Sequence, residues 1–277
     1  MTGAVADGRP PDTDGTRRLL AVLAVILLVV AFVPPLSTEA RRLEYAQAVQ
    51  FALFAIAVPA LLVLGAPWRF LRLAAPSAGA RPGSAASRAA GPVDRLQAAR
   101  RRHPEFVRSL AVLALDVGVI VAWRVPAAVD ALARHPWLVV AEAASLVACG
   151  VALWLECVAS PPLTPRLAHP RRAALAAFAM WAVWAAAYVL GLAHASWYRA
   201  YLHVPGRGVS VWADQQLTTG VLWLAAICAF IPVIFWNLMS WLRTDDDPDN
   251  EMHRLVREGR RRSWAAAGAG HRPEPDR

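Results

Sequence analysis

The sequence predicts an all-α fold, a polytopic membrane bundle of about six transmembrane helices with both termini cytoplasmic. Three observations carry that expectation. First, 57% of the 277 residues are hydrophobic and the mean hydropathy is +0.38, too apolar for an ordinary soluble domain. Second, apolar runs long enough to cross a bilayer recur along the chain. Third, the arginines gather in alternate connections, as the positive-inside rule requires of cytoplasmic loops.

Residues 1–16, rich in Gly, Pro and Asp and without periodicity, read as a disordered cytoplasmic tail. Arg17 and Arg18 precede LLAVLAVILLVVAFVPPL, about 18 residues and enough to span at about 1.5 Å per residue. No small-x-small cleavage signal follows it, so it reads as a retained first helix. The second span runs from about Tyr45 to Leu64, with Pro59 expected to kink it and Gly65 and Pro67 to stop it. Its first turns carry Gln47 and Gln50 on one face.

Residues 68–105 form a basic loop containing Arg69, Arg72, Arg81, Arg88, Arg95 and the Arg100 to Arg102 triplet. By the positive-inside rule it is cytoplasmic. The third span, about Phe106 to Trp123, holds Asp116 near its middle. An ionised carboxylate there costs about 2.5 to 3.5 kcal/mol on the insertion scale, so it should face the interior and be protonated or partnered. AWRVPAAVDALARHPW reads as a short outer loop, after which the fourth span runs from about Trp137 to Cys157 with Glu142 early and Glu156 late.

A proline-rich inner loop with Arg166, Arg171 and Arg172 leads to the fifth span, about Ala173 to Ala193. The next outer segment carries Trp197, Tyr198, Tyr201 and Trp212 with His194 and His203, and such aromatics favour the headgroup level. The sixth span, about Leu217 to Trp241, opens on Asp214, Gln215 and Gln216. Residues 17–243 thus form the bundle and 244–277 a second cytoplasmic tail, whose acidic run lacks the ligand spacing and glycine of a calcium loop.

Charge and motifs exclude several functions. All 29 basic residues are arginines and the net charge is +9, but their place beside apolar runs explains them without nucleic acid. Cys149, Cys157 and Cys228 lie inside apolar runs, with no CxxC pair. Neither HExxH, a Ser/His/Asp spacing nor a phosphate-binding glycine loop is present, so the expectation is a protein that is not an enzyme.

The six-span topology sends polar side chains to one extracytoplasmic layer: Gln47, Gln50, Arg124, Glu142, Asp214, Gln215 and Gln216. A polar layer shared by several helices is costly unless mutually satisfied, so a common network or cavity is expected. Asp116 below it supports the rival expectation of a small membrane transporter or an ion- or proton-conducting protein.

QAVQFALFAIAVPALLVLGAP, AWRVPAAVDALARHPWLVVAEAASL and WADQQLTTGVLW together resemble the CtaG-like cytochrome c oxidase assembly family, from the second span onward. The resemblance implies a chaperone-like assembly factor in the bacterial plasma membrane, contacting lipid and oxidase subunits and linked to copper delivery. The family pattern is similar to H-x-x-Q-H, W-H-x-P and H-x-x-E-H. This chain has Gln47 and Phe51, then Arg124, then Val139 and Ala143 at those histidine positions. Arginine is no metal ligand while protonated, so Arg124 is expected to replace a metal's charge and tie helices together with Glu142 and Asp214. A remaining mixed N/O set for copper comprises His194, His203, Glu142 and Asp214, with His135 on the same side.

Overall fold

The computed structural model describes residues 13–71, 105–163, 165, 167–193, 196–206 and 208–245. Much of the basic loop and both tails therefore lie outside the described residues, as do His194 and the acidic run beyond Asp245. Among the described residues the fold is helical, with one isolated bridge between Ser160 and Leu163.

Helix α1 covers Thr13–Phe32, so the N-terminal helix starts earlier than Arg17. A single turn, α2 (Leu36–Glu39), leads to the second span. That span is α3 (Glu44–Ala52), a π-helical segment (Leu53–Ala57) and α4 (Val58–Gly65) in one continuous run. The expected kink at Pro59 is taken up here. Proline lacks an N–H and its ring crowds the carbonyl four residues earlier, Ala55, and a wider π turn over that stretch relieves both. Ala66 ends the run in the left-handed region at φ 46°, and Pro67–Arg69 follows as a 3-10 turn.

Helix α5 spans Glu105–Arg124 and α6 spans Pro126–Arg134, and the two meet at a 62° bend. The segment expected to be an outer loop is thus largely helical. Val125 is extended because it precedes a proline, and Pro126 then starts α6 where no N–H is needed. Val129 and Leu132, three apart on one face, are the residues α6 buries.

Helices α7 (Leu138–Cys157), α8 (His169–Leu192) and α9 (Val211–Asp245) complete the bundle. Five helical runs are long and apolar enough to cross a membrane, and α5 with α6 gives a sixth when the bent pair counts as one span. The chain is therefore an all-α protein with the helices of a polytopic membrane bundle.

Helices α8 and α9 pack along their length, α3 packs on α9, α1 on α4, and α7 on both α4 and α5. The core between them includes Phe51, Phe54, Leu146, Leu153 and Trp154, with Trp154 stacked on Phe230 at 5.1 Å between ring centres. Close backbone approach needs small residues. A Cβ on Gly65 would lie 2.6 Å from the Ala21 backbone nitrogen, and one on Gly150 would meet Pro59 Cγ at 2.7 Å.

Candidate functional site

Two buried polar clusters lie at opposite ends of α7. Glu142 marks one and Glu156 the other, fourteen positions and about 21 Å apart along the helix. At the Glu156 end, the Arg108 Nη2 meets Glu156 Oε2 at 2.8 Å, and Ser109 Oγ donates to the same oxygen at 3.3 Å. Nearby, Ser160 donates to the Val63 carbonyl and Trp68 Nε1 donates to Pro161 at 3.0 Å, tying the α4 end to the connection after α7.

The Glu142 end is the polar layer expected from the sequence, organised by a carboxamide. Arg124 Nη1 donates to Gln47 Oε1 at 2.5 Å, and Gln47 Nε2 donates to Glu142 Oε1 at 3.2 Å. The amide presents its oxygen to the cation and its nitrogen to the anion, joining α5, α3 and α7. All three residues are buried, Glu142 completely. The guanidinium also lies 5.2 Å from the Phe51 ring centre and 5.6 Å from that of Tyr198, contacts that favour a cation where water is scarce.

Asp214 does something different from the expected tie to Arg124. Its Oδ2 accepts from Glu44 N at 3.0 Å and its Oδ1 from Tyr45 N at 2.8 Å. The first residue pair of α3 is thereby capped by a carboxylate from α9, which suits the positive end of a helix. Gln215 and Gln216 serve the other polarity: their amide nitrogens donate to Leu190 O (2.5 Å), Ala193 O (3.1 Å) and Gly191 O (3.3 Å), at the C-terminus of α8. Gln50 Nε2 donates to Ala31 O at 2.6 Å, at the end of α1. The layer's residues thus divide between the Arg124–Gln47–Glu142 relay and the capping of helix ends.

The aromatic outer segment closes this end of the bundle. Trp197 and Trp212 are exposed, but Tyr198 and Tyr201 are fully buried. Tyr198 donates to Arg124 O at 3.0 Å and Tyr201 to Ala40 O at 2.9 Å, while Ala200 N donates to Asp130 Oδ1 at 3.0 Å. A buried phenol needs an acceptor, and here the end of α5 and the turn before α3 offer carbonyls. Burial raises both phenol pKa values, Tyr201 the further, with the Arg124 charge pulling the other way.

Sequence reasoning missed three participants. Glu44 is buried at this end, and its place in the first turn of α3 was the available signal. Tyr198 and Tyr201 carried the aromatic signal but not the direction. Asp116 is 4% exposed and shares the inward face of α5 with Ser109, Ile120 and Arg124, as expected of a carboxylate at that depth. Of the mixed set for copper, Glu142 and Asp214 are in the layer, His203 and His135 are exposed, and His194 lies outside the described residues. Among the described residues no three His, Cys, Asp or Glu side chains are grouped closely enough to hold a metal ion.

Beside the relay is a cavity of about 170 Å³ lined by Ser37, Arg41, Gln47, Gln50, Glu142 and Tyr201 among others. A helical membrane bundle with a charge relay and a small cavity at one end is the class these features define. A model of the cytochrome c oxidase caa3 assembly factor family (Caa3_CtaG) matches residues 3–244, and the chain belongs to that family. The match includes the first helix and the central basic loop, further than the motifs alone reach. Neither a curated protein nor a solved structure matches the chain.

Proposed function

We propose that this protein acts without catalysis in the maturation of cytochrome c oxidase, by lateral helix contacts with oxidase subunits in a bacterial plasma membrane. The family match over residues 3–244 carries this reading. Two features support it. Broad aromatic faces on α8 and α9, with Phe178, Trp181, Phe235 and Trp236 exposed, offer membrane-embedded surface for a partner helix or lipid. The arginine-rich connections favour both termini in the cytoplasm, with the Arg124 layer on the far side.

Copper delivery is the finer form of this role that the resemblance implies. The buried layer is a poor fit for the metal: Arg124, Gln47, Phe51, Val139 and Ala143 bring no imidazole, and both Asp214 oxygens accept backbone N–H groups. No copper step is therefore drawn through it. Of the imidazoles on that side, His194 and His203 belong to the outer segment. Elemental analysis of copper-loaded, detergent-purified protein should show no stoichiometric copper, and copper that disappears in a His194→Ala/His203→Ala variant would reinstate delivery on relocated ligands.

The oxidase role is tested by copurification. Tagged protein should bring oxidase subunits out of mild detergent, and their absence at every stage of oxidase assembly would count against a contact role.

A further inference from the structure

A groove of about 420 Å³ runs between α5 and α8 at the Arg124 end of the bundle. Val117, Val121 and Val125, each four apart, form one side, and Ala182, Ala185 and Ala186 form the other. Alanine leaves open the space that a larger side chain would fill. Arg124 borders the groove too, but its guanidinium is engaged by Gln47 and by the Phe51 and Tyr198 rings, so the groove itself is an apolar slot. Val117 to Val125 is eight positions, about 12 Å along a helix, which covers most of one leaflet's hydrocarbon depth of about 15 Å.

At the end of this slot stand Pro126 and the exposed Trp197, and exposed indoles concentrate at headgroup level. Just past them is a second opening, of about 370 Å³, lined by Asp130, Arg134, Arg199 and Ala200. Pro126, Asp130 and Arg134 are four apart and share one face of α6, and Arg199 follows Trp197 by two residues. The apolar slot and the charged opening therefore succeed one another along α6. Both arginines are exposed. Asp130 Oδ1 accepts from Ala200 N at 3.0 Å, and two guanidiniums against one carboxylate leave this opening with a charge of +1.

We propose that a phospholipid binds here, with its phosphodiester on Arg134 and Arg199 and one acyl chain in the groove between α5 and α8. A phosphodiester carries one negative charge, which matches the +1 of the opening, and guanidinium forks suit phosphate oxygens. The slot selects a chain over a helix. A 12 Å length of helix about 10 Å across occupies roughly 900 Å³, more than twice the groove's 420 Å³, whereas an acyl chain is one methylene wide. This inference goes beyond the oxidase role and stands with or without it.

The test is native mass spectrometry of the full chain in detergent, titrated with dioleoylphosphatidylglycerol and, separately, with dioleoylglycerol, which has the same chains and no phosphate. One phosphatidylglycerol should be retained saturably, and dioleoylglycerol should bind about tenfold or more weakly. An Arg134→Gln/Arg199→Gln variant should weaken phosphatidylglycerol by a similar factor. Ala185→Trp, which fills the groove, should remove the retained lipid with the melting temperature kept. All three positions are exposed, so these variants leave the core untouched. Equal retention of the two lipids, or unchanged retention of phosphatidylglycerol in either variant, overturns the proposal. Ala185→Trp that keeps the lipid but loses copurifying oxidase subunits also overturns it and assigns the groove to a partner protein.

Discussion

Gln47 keeps Arg124 and Glu142 one amide apart, so the cation and anion interact through an aligned dipole instead of a direct ion pair. That arrangement makes each member sensitive. Removing one partner of a buried charge network typically costs about 3–5 kcal/mol. Arg124→Ala should therefore lower the melting temperature in detergent markedly, and an unchanged melting curve would contradict the relay. Gln47→Met, of similar size, should cost about 1–3 kcal/mol because a buried donor and acceptor both lose their partner. Tyr201 supplies a pH signature. Burial raises its folded-state pKa above the ordinary phenol value of about 10, so its contribution to stability is complete below that value. As pH rises past it, phenol ionises in the unfolded chain but not in the folded one, and stability falls. Alkaline unfolding curves should lose part of that slope in Tyr201→Phe, and identical slopes would contradict a buried phenol. Which residues make up the layer was legible from topology, because six spans force Gln47, Arg124, Glu142 and Asp214 to one end. Their pairing was not, since an amide's reach depends on helix rotation that no spacing encodes.

Helix contacts depend on which glycines face a neighbour. Gly150 and Gly65 sit where an added Cβ meets Pro59 and the Ala21 backbone within 3 Å, whereas Gly118 has nothing within 4 Å. Overpacking of this kind costs about 1–3 kcal/mol. Gly150→Ala and Gly65→Ala should each destabilise by that order, while Gly118→Ala should be neutral or mildly stabilising through helix propensity. Thermal melts of the three variants side by side check the contrast, and equal effects would contradict the packing. At this scale the six apolar runs were readable and their approximate limits held. Two features were not. The turn from α5 into α6 looked like a loop because Pro126 and the charges of Asp130 and Arg134 suggest one, yet Pro126 sits at a helix start where it is tolerated. The π segment before Pro59 was equally hidden, because sequence marks the obstacle and not the way the backbone widens around it.

For the whole molecule, the family assignment and the buried relay lead to one account: a helical bundle tied at one end by the Arg124–Gln47–Glu142 relay, proposed to present its aromatic helix faces to lipid and to a maturing oxidase. The tyrosine-bearing segment closes the Arg124 end through bonds to α5, α6 and the turn before α3, an inward direction that its aromatic composition does not reveal. Its hydroxyl acceptors come from distant parts of the chain, which is why its direction was illegible. The central claim is tested most directly by measuring assembled, active cytochrome c oxidase in membranes of a deletion strain, before and after complementation with the full chain. The account predicts loss of assembled oxidase on deletion and its restoration by the wild-type protein. Oxidase that assembles to the wild-type level without the protein would contradict it.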